Sequence, residues 1–121
     1  MGDYTEIFVN ADLKENTPTE VIETLRAICT GDHKSEYLEN KPGRWSMLFN
    51  NGSYYTPLTH CGELSFDDIA GYYSIIGKGD IKNYEGEIEK FFDFIKPWCK
   101  ADTFIGYVRC EYAREPTLIY A

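Results

Sequence analysis

Helical periodicity is confined to two short stretches of this chain; the remainder alternates or breaks. Ile88, Phe91, Phe92 and Ile95 fall at i, i+3, i+4 and i+7, the stripe of an amphipathic helix, with Asn83 as its cap and Pro97 as its stop. Val21, Ile22, Leu25, Ile28 and Cys29 make the other stripe. Ahead of it, Thr17-Pro18-Thr19-Glu20 reads as a capping box, with Pro18 in the first helical position, and Gly31 closes the helix.

The alternating stretches predict strands. From Tyr4 to Leu13, Ile7, Val9, Ala11 and Leu13 alternate with Glu6, Phe8, Asn10 and Asp12, the period of a strand with one buried face. Asp32 to Gly43 is a polar loop. Arg44 to Phe49 reads as a strand with Trp45, Met47 and Phe49 on one side, and Asn50-Asn51-Gly52 as a turn. Ser53 to Thr56 pairs back before Pro57. Glu63 to Phe66 and Tyr72 to Ile76 follow around a turn at Asp67-Asp68, the second running on to Ile81 with Gly77 and Gly79 as bulges. In the stretch Thr103 to Tyr112, Phe104, Val108 and Cys110 oppose Ile105, Tyr107, Arg109 and Glu111; Thr117 to Tyr120 closes the series.

With 121 residues the chain fits a single α+β domain over residues 1–121. The order of elements predicts a largely antiparallel sheet with two helices on one face, a ferredoxin-like core with extra strands. Apolar residues at 43% and aromatics at 16% exclude a disordered chain. A net charge of −8 argues against direct nucleic-acid binding, which needs clustered Lys and Arg. No apolar run reaches the ~20 residues of a membrane span and no secretory signal opens the chain, so a cytoplasmic protein without membrane contact is expected. Cys29, Cys61, Cys99 and Cys110 form no Cys-x-x-Cys pair and read as reduced, mostly buried thiols. A metal site at His60 and Cys61 would need an irregular loop, because neighbours in a strand point to opposite faces. No metal or cofactor is expected.

Two surfaces offer recognition. Glu85, Glu89 and Asp93 recur every four residues along the second helix. They are either a solvated face, with Glu85 favoured by the helix dipole, or a negative ridge that docks on a basic cleft of another protein. The sheet face away from the helices receives Phe8, Tyr107, Arg109 and Glu111, together with one tyrosine from each of the pairs Tyr54-Tyr55 and Tyr72-Tyr73. Three readings of that face stand side by side. The loops Asp32–Gly43 and Pro57–Gly62 cover it, or it is a homodimer interface, or it is a platform for a small nucleotide. The platform would use Phe8, Tyr54, Tyr73 and Tyr107, with Arg109 or Arg44 meeting the phosphate.

No catalytic constellation emerges. Ser53, Ser65 and Ser74 lack a motif, Asp67-Asp68 is turn chemistry, and Gly77-Lys78-Gly79-Asp80 lacks the Walker pattern while Glu85 and Glu87 repel an anion. The segments Tyr4-Thr5-Glu6-Ile7, Arg44-Trp45, Ser53-Tyr54-Tyr55, Asn83-Tyr84-Glu85-Gly86-Glu87-Ile88-Glu89-Lys90-Phe91 and Glu115-Pro116-Thr117-Leu118-Ile119-Tyr120 resemble a family of small acidic proteins of bacteria and their phages. The resemblance implies no particular activity. It implies action by binding, for instance inhibition of host defence machinery. The expectation is therefore a non-enzymatic protein that blocks a host bacterial protein through Glu85, Glu89 and Asp93. The alternatives are sequestration of a small signalling nucleotide on the aromatic sheet face, and a dimeric structural accessory protein.

Overall fold

The computed structural model describes residues 4–51 and 59–121. In chain order the elements are β1 (Thr5–Asp12), α1 (Thr19–Thr30), two 3-10 turns (Glu36–Leu38 and Gly43–Met47), β2 (Asn50–Asn51), β3 (Thr59–His60), β4 (Gly62–Asp67), β5 (Tyr72–Ile81), α2 (Glu87–Ile95) with a 3-10 extension over Lys96–Trp98, β6 (Phe104–Cys110) and β7 (Thr117–Tyr120). Five strands form one sheet in the order β4-β5-β1-β6-β7, every neighbouring pair antiparallel, and β2 pairs with β3 in a separate ribbon.

Alternation explains why β1 takes the centre. Ile7, Val9, Ala11 and Leu13 are buried and join the apolar stripes of both helices in one core cluster. Glu6, Phe8, Asn10 and Asp12 lie between them and point the other way. The sheet thus has a helix side and an open side. The nine residues of α2 are too few for a stable isolated helix. Burial of Ile88, Phe91, Phe92 and Ile95, each 2% exposed or less, holds it instead at ~1.5–3 kcal/mol per side chain relative to exposure.

Several local expectations are corrected. α1 begins at Thr19 with Pro18 as the flanking residue, and the Thr17 hydroxyl donates to the Lys14 carbonyl rather than capping the helix. Gly31 does end α1 in the left-handed conformation, its N–H donating back into the last turn. Residues 43–47 are a 3-10 turn, not a strand. Trp45 and Leu48, three apart, share its buried side, while Met47 is 41% exposed. The segment Glu36–Leu38 packs on the helix side through Leu38, so the 32–43 loop does not cover the open face. The strand expected at Ser53 to Thr56 lies outside the described residues.

Gly77 and Gly79 are not bulges, because β5 keeps an unbroken register with β1 from Ile81 to Ser74. They are small because another segment presses on them. A Cβ at Gly77 would lie 2.7 Å from the Phe49 ring, and one at Gly79 would strike the Leu48 carbonyl. The bulge occurs in β6, where the pairing with β7 shifts between Phe104 and Gly106. One extra residue reverses the parity of the side chains, so Ile105 is fully buried in the core rather than beside Tyr107 on the open side.

Candidate functional site

α2 and the edge strand β7 frame a groove of about 200 Å³. Register builds its floor. Val108 pairs with Ile7 of β1 and Thr117 with Val108, while Ile119 pairs with Gly106, so Val108, Thr117 and Ile119 all face the helix side. Phe92 of α2 meets them from above, and Glu89, Asp93 and Lys96 stand exposed on the helical rim. Asn83 positions one of these acids. Its side-chain carbonyl accepts the Ile88 N–H at 3.0 Å, and its amide donates to Glu89 Oε1 at 2.7 Å. Gly86, not Asn83, holds the N-cap position of α2, and Asn83 instead reaches over from three residues earlier to brace the first turn and the groove rim.

The acidic ridge is shorter than the spacing predicts. Gly86 has φ 70°, a left-handed conformation that breaks the helical path, and Glu85 sits in the turn before it. Glu89 and Asp93 remain one turn apart on α2, exposed, while Glu85 is exposed but off the helix. Glu87, between them in sequence, turns inward. It is 2% exposed, accepts Arg44 Nη1 at 3.0 Å and the Glu85 N–H at 3.2 Å on Oε1, and its backbone carbonyl accepts Trp45 Nε1 at 3.0 Å. The sequence carried a signal for this: Glu87, Phe91 and Phe94 repeat at i, i+4 and i+7 on the aromatic side.

On the open face Glu6 is the hub. Its carboxylate accepts the Tyr107 hydroxyl at 2.8 Å and Arg109 Nε at 3.1 Å, with Lys78 Nζ at 3.5 Å. Phe8 stacks on Tyr107 with ring centroids 5.4 Å apart. Burial pushes the Glu6 carboxyl up, but the bonds from Tyr107 and Arg109 and the nearby Lys78 charge outweigh it and hold it below its ordinary value of 4.5. Burial, then the bond to Glu6, raises the Tyr107 phenol, which keeps it a donor. A depressed carboxyl stabilises the fold above its unfolded value and loses that contribution as pH falls through the lower folded one. Wild type is thus expected to exceed Glu6→Gln in urea-denaturation stability at pH 7, the gap narrowing on acidification below about 4.5. A gap constant with pH would assign the effect to packing.

The residues expected on the nucleotide platform divide between the two layers. Phe8, Tyr107 and Arg109 meet on the open face, where Arg109 is occupied by Glu6 and by the Ala113 carbonyl at 3.2 Å. Arg44 is on the helix side, against Glu87 and over the Tyr84 ring at 5.3 Å. Tyr73 also faces the helices, two residues before buried Ile75, with Arg26 of α1 6.0 Å from its ring centroid. Tyr72 takes the outward place, with Lys100 Nζ 3.4 Å from its ring centroid. Tyr54 lies outside the described residues.

Cys29 and Cys99 are buried, and burial pushes their thiols up to about 12 and about 11; Cys110 is exposed. Among the described residues no group of three or more His, Cys, Asp or Glu could hold a metal ion. Sequence reasoning missed Phe92, Lys96, Val108, Thr117 and Ile119 as groove residues, because α2 and β7 are brought together only by the folded sheet. No described helix is long and apolar enough to cross a membrane. Compared with known family models, curated proteins and solved structures, the chain matches none.

Proposed function

We propose that this chain is a non-enzymatic binding protein that captures a basic, partly apolar segment of another protein between α2 and β7. The observation that carries the reading is the pairing of an apolar floor, Phe92, Val108 and Ile119, with the exposed carboxylates of Glu89 and Asp93. A lysine or arginine matches that pairing, laying its aliphatic stem on the floor and its charge at the rim. The chain charge of −8 adds long-range attraction for such a partner. The framework we infer is a ferredoxin-like core extended by β7. It is supported by two β-α-β crossovers and the order β6-β1-β5-β4 within the sheet. The resemblance to phage proteins extends the proposal to blockade of a host protein in the reducing cytoplasm.

Charge reversal tests it. A capped peptide of alternating valine and lysine, followed by fluorescence anisotropy, is expected to bind wild type and to weaken as salt rises. Glu89→Lys with Asp93→Lys should reduce affinity by about tenfold or more, since each reversal replaces an attraction by a repulsion. Equal binding by the double variant, or equal binding of a valine–glutamate peptide, would overturn the groove as the capture site. Among the described residues the nucleotide platform is weakened, because Phe8 and Tyr107 stack on each other and Glu6 holds both Tyr107 and Arg109.

A further inference from the structure

We infer that the captured segment binds as an added β-strand, pairing with the outer edge of β7 and sending alternate side chains into the α2–β7 groove. This inference rests on the groove reading above and specifies how the segment sits. β7 is the last strand in the sheet order, so among the described residues no strand pairs with its outer row of N–H and C=O groups. Sheet edges of this kind template further pairing unless they are blocked. The two edges differ in their protection. β4 carries Glu63 and Asp67 and runs into Asp68, edge charges of the kind that block apolar strand addition. β7 reads Thr117-Leu118-Ile119-Tyr120 and holds no charge at all.

Side-chain geometry then sets what the added strand contains. Side chains of a strand alternate between faces, so a strand laid beside β7 directs every second residue to the helix side, where Glu89 and Asp93 wait above Ile119. The intervening residues emerge on the open side, beside Leu118 and Tyr120, which are 50% and 56% exposed. Phe104 extends that apolar strip, its ring 5.7 Å from Tyr120. The occupant this selects is an extended peptide of alternating basic and apolar residues. Lys96 on the same rim limits the groove to a short run of cations, since it repels a lysine placed next to it.

Backbone methylation separates strand addition from simple charge capture. Two versions of the valine–lysine peptide carry N-methyl groups on alternate residues, in opposite phases. An added antiparallel or parallel strand directs only every second N–H at β7, so one version should lose binding by about tenfold or more and the other should bind like the parent peptide. In the same complex, amide hydrogen exchange should slow within Thr117–Tyr120 and not within β4. Equal tolerance of both methylated versions, with binding still lost in Glu89→Lys/Asp93→Lys, would overturn strand addition and leave the groove reading standing. Failure of the unmethylated peptide to bind would overturn both. A peptide of the same composition with its lysines in one block should bind at least about tenfold more weakly, and equal affinity would count against alternation.

Discussion

Arg44→Ala is expected to cost about 3 kcal/mol of folding stability, the lower end of what breaking a buried ion pair costs. The loss arises on the partner. Glu87 is 2% exposed, and once the guanidinium leaves, its carboxylate keeps only the Glu85 N–H, with Oε2 already without a hydrogen-bond partner among the described residues. Arg44 itself is 35% exposed, so water entering its place recovers part of the loss. Even so, the change is large against the ~5–15 kcal/mol that a small domain has in total. The double variant Arg44→Met with Glu87→Met should recover much of it, because two apolar side chains leave no buried charge to satisfy. Urea denaturation of Arg44→Met, Glu87→Met and the double variant measures the coupling; an Arg44→Ala protein within about 1 kcal/mol of wild type would overturn the assignment. The same pair ties the 43–47 turn to the start of α2, and through α2 it supports the groove.

Phe49→Ala should be at least as damaging, at about 3–5 kcal/mol. The Phe49 ring is fully buried, meets Phe91 edge-on at 5.8 Å, and lies across the sheet where Gly62 and Gly77 leave room for it. A Cβ at Gly62 would stand 2.6 Å from that ring and one at Gly77 2.7 Å, so Gly77→Ala overpacks the site and costs ~1–3 kcal/mol alone. Combined, the two changes should cost less than their sum, because the alanine methyl at position 77 enters the space that Phe49 leaves. Strict additivity in a denaturation cycle would mean that the ring and the glycines do not share one packing site. This contact also explains why a strand rich in glycine occupies an interior position. Ring and backbone, rather than β5 side chains, fill that part of the core.

Local pattern made much of this legible. Amphipathic stripes located α1 and α2, and alternation located β1, β4, β5, β6 and β7 to within a residue or two. Period is a property of the chain itself, so it survives reading without coordinates. Failures came where one residue changed the parity or where a side chain answered a distant partner. The bulge near Ile105 is one residue long and has no mark of its own in the sequence. The left-handed backbone at Gly86 cuts Glu85 off from the helix, which the four-residue spacing of the acids does not reveal. Tyr73 and Tyr72 were interchangeable by composition, and only the phase set by Ile75 separated them.

Net charge follows from composition alone, and the α+β class and the apolar stripes of the two helices follow from amino-acid order, because those patterns depend on spacing within a dozen residues. What only the tertiary structure decided is which surfaces meet. It set Arg44 against Glu87 across 43 positions, joined Glu6 to Tyr107 and Arg109 across more than 100, and placed the acids of α2 beside the uncharged edge of β7. Those pairings follow from strand order and register, which are fixed by packing of the whole core around β1 and leave no local trace in the chain.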